Sequence, residues 1–125
     1  MIRVIAAVIQ KNRKYLTCQR PGGKRHGGLW EFPGGKVRDD ESDLAAARRE
    51  LDEELNVRVV DVGATLFEVR DPGTEFLIVF KDVRIIGEPQ ALEHEALCWA
   101  SPLELVSFRL APGDEMFVHR YLLRN

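Results

Sequence analysis

Three glutamates, Glu50, Glu53 and Glu54, stand at positions i, i+3 and i+4. On a helix that spacing gathers three carboxylates on one face, opposite a stripe of leucines. Like charges stacked this way cost roughly 0.2–0.5 kcal/mol per close pair, so a cation is expected to offset them. A hard divalent ion suits the role, because magnesium takes oxygen ligands, keeps several waters and bridges carboxylates to substrate phosphates. Such an ion, with Mn2+ as a substitute, would supply charge neutralisation and water activation together. Arg49 lies four residues before Glu53 and is placed to hold that carboxylate. Gly35 lets the backbone approach closely and present its carbonyl to a metal, and Glu41 at the mouth of the helix is placed to complete the acidic cluster. The plainer alternative is a solvated acidic face balanced by Arg48, Arg49 and Arg58; the Gly34-Gly35 turn just upstream weighs against it.

The elements that must position these residues follow from periodicity. Between Ser42 and Leu55, the apolar residues Leu44, Ala47, Leu51 and Leu55 recur at offsets of three and four, the mark of an amphipathic helix. Ser42 suits its N-cap, and Asp43 suits the positive end of the dipole. Residues 2–9 and 14–19 read as a hairpin joined by Lys11-Asn12-Arg13. A glycine-rich loop over 21–28 leads into a short strand at 29–32, which Pro33-Gly34-Gly35 should end with a turn. Long strands are expected at 57–69 and 76–86 around the turn Asp71-Pro72-Gly73, then a short strand near 97–99. A helical turn at 102–106 and a final helix at 112–123 complete a mixed α+β sandwich.

The spacing from Gly35 onward also resembles a known motif. A glycine, five residues, Glu41, seven residues and then Arg49-Glu50-Leu51-Asp52-Glu53-Glu54-Leu55-Asn56-Val57 matches the Nudix box. The one departure is Asn56 where the family has glycine, a mild change because Asn is the next-best residue at a left-handed helix C-terminus. Upstream, Gly28-Leu29-Trp30-Glu31-Phe32-Pro33-Gly34-Gly35-Lys36 looks like the MutT-like branch of the family. The resemblance implies the Nudix fold, a mixed β-sheet sandwiched between helices (α/β/α), in a single domain over 1–125. It further implies water attack on a nucleoside triphosphate, giving the monophosphate and pyrophosphate.

Carried onto matching positions, the family pattern makes Gly35, through its carbonyl, and Glu50, Glu53 and Glu54 the metal ligands. Glu53 is the general-base candidate within the box, and Glu93, in Glu93-His94-Glu95, resembles a position that supplies a further ligand or base. Arg20 and Lys36 are expected to meet the nucleotide as cations. Phe32 could stack on a base, although an apolar residue in a strand is more often core, and Glu31 beside it could fix a substrate group. Asp114 lies where MutT-like proteins contact the nucleobase; its plain reading is helix N-capping. As a carboxylate it would only accept hydrogen bonds and so favour an amino-bearing base such as cytosine, which sets cytidine or 5-methylcytidine triphosphates beside the 8-oxo-dGTP that the resemblance implies. Trp30 and Trp99 are assigned to packing, and His26, His94 and His119 receive no catalytic role.

Composition narrows the field. With 125 residues, 45% of them hydrophobic, the chain suits one core and not two. Its 18 basic and 20 acidic residues leave a net charge of -2, which provides no field for holding a nucleic-acid backbone. Cys18 and Cys98 read as reduced core thiols. The apolar run at 2–9 is far shorter than the roughly 20 residues a membrane span needs. The expected setting is cytoplasmic, with a small nucleotide as partner and a monomer or weak homodimer as the assembly. Two rival readings are a Nudix hydrolase of ADP-ribose, a dinucleotide or a capped RNA end, and a nucleotide-binding module that does not cleave.

Overall fold

A computed structural model describes residues 1–124 of the chain. Strand β1 (Ile2–Val8) is its organising element. It runs parallel to β7 (Phe76–Ile86) and antiparallel to β5 (Gly34–Lys36), while β6 (Arg58–Arg70) pairs antiparallel with β7. The mixed sheet therefore has the order β5-β1-β7-β6. A second sheet, all antiparallel, joins β2 (Gln10–Lys11), β3 (Lys14–Gln19), β4 (Trp30–Glu31) and β8 (Ala96–Ala100), with β3 bonded to β8.

Side-chain alternation along β1 divides the interior in two. Ile5, Ala7 and Ile9 pack with Ala46, Ala47, Leu51 and Leu55 of helix α1 (Asp43–Leu55). Ala6 and Val8 face the other way, toward Phe80, Phe117 and Val118, where helix α3 (Pro112–Arg120) lies. Helices thus cover opposite faces of the mixed sheet, as expected. A short helix α2 (Pro102–Leu105) carries a full capping box, Ser101 with Glu104, and a 3₁₀ turn spans Leu122–Arg124.

Most expected elements stand within two or three residues of their places. The expected pairing of 2–9 with 14–19 is corrected: β1 spends its edges on β5 and β7, and the hairpin is made by the two-residue β2 with β3, turning through Asn12 and Arg13, both left-handed, at φ of 53° and 64°. The turn expected at 33–35 is instead partly a strand. Gly34 and Gly35 lie against Ala6 and Ile5 of β1, and a Cβ on Gly34 would strike the carbonyl of Ile5. Close approach of two backbones, more than a reversal of direction, is what the glycines permit.

Candidate active site

Helix α1 begins where Ser42 accepts a hydrogen bond from the Ala45 amide at 3.1 Å. It ends on Asn56 in the left-handed conformation (φ 55°, ψ 43°), the role that glycine plays in the matching motif. The three glutamates fan across the helix by about 100°, since successive residues advance by that angle. Their surroundings differ accordingly. Glu53 is exposed, Glu50 is half-buried and Glu54 is only 6% exposed. The expectation of a shared face opposite the leucines is therefore corrected: Glu54 sits at the edge of the apolar stripe, beside Ala47 and Leu51 in angle.

Burial pushes the Glu54 carboxyl up to about 10, reinforced by its hydrogen bond to Glu50 and by the charges of Glu50 and Glu31. Its Oε1 is buried without a hydrogen-bond partner. Gly35 abuts this pair so closely that a Cβ there would collide with the Glu50 carboxylate. Among the described residues no group of three or more His, Cys, Asp or Glu side chains encloses an ion by itself. What the residues offer is an open, oxygen-only cradle of Glu50, Glu54 and a glycine backbone. A hard divalent ion that keeps waters and takes substrate oxygens fits such a donor set.

Arg49 organises the approach to the cradle, though not through Glu53 as expected. Its guanidinium makes two hydrogen bonds of 2.8 Å to Glu41, a third to the Lys36 carbonyl at 3.0 Å, and an ion pair with Glu50. The i, i+4 rule assigned Glu53 as partner, but the segment 36–42 folds back along the helix and presents better acceptors. Glu41 is consequently committed to Arg49, which together with the Arg38 amide holds its carboxyl down at about 2. It anchors the segment and is not free to extend the acidic cluster.

Beside the cradle lies a cavity of about 400 Å³ whose lining includes Arg20, Glu31, Gly35, Lys36, Asp71 and Asp114. A larger groove of about 950 Å³ runs along the outer side of α1, past Leu44, Arg48 and Arg58, but contains none of the three glutamates. The smaller cavity has none of them in its lining either, but it reaches Gly35, which abuts the Glu50 carboxylate, and so adjoins the cradle. Arg20 bonds Glu31 at 3.1 Å and the Arg25 carbonyl at 2.7 Å, which folds the 21–28 loop over the rim. Lys36 stands 5.1 Å above the Phe76 ring.

Two expectations about recognition change. The Phe32 ring is 4% exposed and packs edge-on against Phe80 and Phe117, so it is core and not a stacking platform; its contribution to the site is its backbone N–H. That amide donates to Asp114 Oδ1 at 2.8 Å. Asp114 is no N-cap, since Ala111 holds that position without a side-chain bond. Burial, with the charges of Glu31 and Asp71, drives the Asp114 carboxyl well above its usual range. In its protonated form it can donate as well as accept, so the acceptor-only argument for an amino-bearing base no longer holds by itself.

Glu93 is exposed in the 87–95 loop, while its neighbour His94, given no role from sequence, turns into the site. Its Nε2 lies 3.1 Å from Glu31 Oε2 and 4.0 Å from Glu54 Oε1, with the side chain 6% exposed. The legible signal was alternation: if Glu93 and Glu95 face solvent on the way into β8, the residue between them faces inward. His26 also lines the cavity.

This geometry belongs with a known family. The NUDIX domain family model matches residues 1–121, and the chain belongs to that family of hydrolases. A CTP pyrophosphohydrolase of Escherichia coli strain K12 is 40% identical over 116 residues, covering 91% of this chain and 86% of its own. An 8-oxo-dGTP diphosphatase of Haemophilus influenzae is 33% identical over 128 residues, covering 98% of this chain and 92% of its own. The solution structure of the E. coli ORF135 protein superposes with a TM-score of 0.82 at 37% identity, covering 99% of this chain and 89% of that one. Nudix hydrolases of the MutT-like kind act on phosphoanhydride bonds and generally use a divalent metal. Among the described residues no helix is long and apolar enough to cross a membrane.

Proposed function

We propose that the chain is a Mg2+-dependent pyrophosphohydrolase that cleaves a free nucleoside triphosphate, in the cytoplasm and as a monomer or weak homodimer, to the monophosphate and pyrophosphate. The observation that carries this reading is the carboxyl pair Glu50 and Glu54, with Glu50 pressed against Gly35, a residue that lines the nucleotide-sized cavity. A buried carboxylate pair is unfavourable without a cation and becomes favourable with one. Glu50, Glu53, Glu54 and the Gly35 carbonyl would hold Mg2+, or Mn2+ in its place. When bound, the ion would neutralise the phosphate chain and lower the barrier to water attack.

The remaining roles fall to this chain's own side chains. Arg20 and Lys36 offer cations to the phosphates from the cavity rim. Arg49 keeps Glu50 oriented from behind. Glu53, exposed on α1 one turn from Glu50, is the residue to take the proton from the attacking water; Glu93 is the second candidate. Glu31 and Asp114 line the cavity and would face the nucleoside, Asp114 with Oδ1 committed to the Phe32 amide. The CTP and 8-oxo-dGTP named for the two relatives are the bases to compare first.

Pyrophosphate release from dCTP, 5-methyl-dCTP and 8-oxo-dGTP, with Mg2+ and with EDTA, tests the assignment. A Mg2+-dependent signal on one or two substrates is expected, and Glu53→Gln should reduce it by roughly 10²–10⁴-fold. Asp114→Asn, which keeps a donor and an acceptor, should retain base preference if the native carboxyl works protonated. Nucleotide binding with no pyrophosphate from any substrate would favour the binding-module reading.

A further inference from the structure

The 87–95 loop is anchored at both ends. Gln90 and Leu92 amides donate to the Leu55 and Glu54 carbonyls at the end of α1, and the Glu95 amide donates to the Gln19 carbonyl. Between these anchors His94 is carried over two carboxylates from different parts of the site. Glu31 belongs to β4 and the nucleotide cavity; Glu54 belongs to α1 and the metal cradle. Ionised carboxylates only accept, so a neutral imidazole must meet Glu31 as the Nε2–H tautomer, leaving Nδ1 a bare acceptor. Nδ1 is buried with no partner, as is Glu54 Oε1. Buried polar atoms are ordinarily hydrogen-bonded, so an orphan on each of these two neighbouring side chains calls for an explanation.

On these observations, which rest on the pyrophosphohydrolase reading above, we propose that His94 is a positioning residue: it fixes Glu31 against the nucleotide and couples that contact to the metal cradle. Arg20 donates to Oε1 of Glu31 at 3.1 Å and more distantly to Oε2 at 3.4 Å, while His94 meets Oε2 at 3.1 Å, so two residues hold the carboxylate. Glu93 and Glu95, both exposed, face the flanks of the loop and leave this contact to His94.

The test combines kinetics, metal binding and spectroscopy. His94→Ala should raise KM for the better of dCTP and 8-oxo-dGTP by about tenfold, with a smaller fall in kcat, and should weaken Mn2+ binding to the nucleotide-free protein severalfold. His94→Gln, whose amide nitrogen reaches the place of Nε2, should restore KM to within about threefold of wild type. In a Glu31→Gln background, loss of His94 should change KM by less than about twofold, because the two act as one unit. Unchanged KM and Mn2+ affinity in His94→Ala, or full additivity with Glu31→Gln, would overturn the proposal. The ¹⁵N spectrum of the wild-type imidazole decides independently of turnover: a proton on Nε2 supports the contact, and one on Nδ1 alone refutes it. Wild-type protein that neither binds Mn2+ nor releases pyrophosphate would instead count against the functional reading, with the tautomer still deciding the His94 contact.

Discussion

At the scale of single residues, the site depends on one missing carbon and one displaced proton. Gly35→Ala would drive a methyl into the Glu50 carboxylate, backed by the α1 backbone on one side and Arg49 on the other. The variant should fold, because the collision is with a side chain, yet lose metal affinity and turnover by roughly 10²-fold, as displacing catalytic groups by about 1 Å does. Equilibrium binding of Mn2+ measures it, and wild-type affinity would show that Gly35 is not part of the cradle. Glu54 makes a pH prediction of definite sign. Its folded carboxyl lies near 10 against an ordinary 4.5, so its contribution to metal-free stability is complete below about 4.5 and is lost as pH rises toward 10. Divalent metal should reverse this dependence by replacing the proton, releasing about one proton per ion near pH 7.5. Calorimetry in buffers of different ionisation enthalpy counts that proton; none released would mean Glu54 is already ionised.

At the scale of elements, the helix was legible and its partners were not. Period and cap residues specify α1 locally, which is why Ser42, the leucine stripe and even the left-handed Asn56 could be read in advance. The Arg49 pairing could not, since the i, i+4 rule sees only the helix and the stronger acceptors lie in the segment folded beside it. Glu54 is met by Gly34 from β5 and by His94 from the 87–95 loop, elements that its own helix does not announce. Likewise, Phe32 is core because Phe80 and Phe117 arrive from β7 and α3. Asn56 also bonds Gln90 of that loop at 3.1 Å, so the end of the helix and the loop share a fastening. Asn56→Ala should cost about 1–2 kcal/mol for the left-handed backbone and loosen the loop, whereas Asn56→Gly should be close to neutral. Denaturant unfolding of the two variants separates these effects, and equal losses would mean that the side-chain bond outweighs the backbone.

At the scale of the whole molecule, two apolar clusters share one strand, and the second supports recognition. Phe80 stacks on Phe117 at 4.3 Å between centroids, and Phe32, whose amide fixes Asp114, leans on both. Phe80→Ala should lower stability by about 3–5 kcal/mol. It should also blur base preference more than it lowers metal affinity, since α1 packs in the other cluster; selectivity across the nucleotide panel below the melting temperature checks this. A uniform loss of both functions would indicate that the clusters are not separable.

The parallel pairing of β1 with β7 has a consequence for how the chain comes to be folded. Ile2 aligns with Phe76 and Val8 with Asp82, so β1 is completed by a strand more than 70 residues later in the chain. Until that strand leaves the ribosome, an apolar ribbon that belongs at the centre of the sheet has an open edge. Closing so long a loop is an intrinsically slow event. During synthesis β1 is therefore the segment of this protein that most needs shielding from other nascent chains.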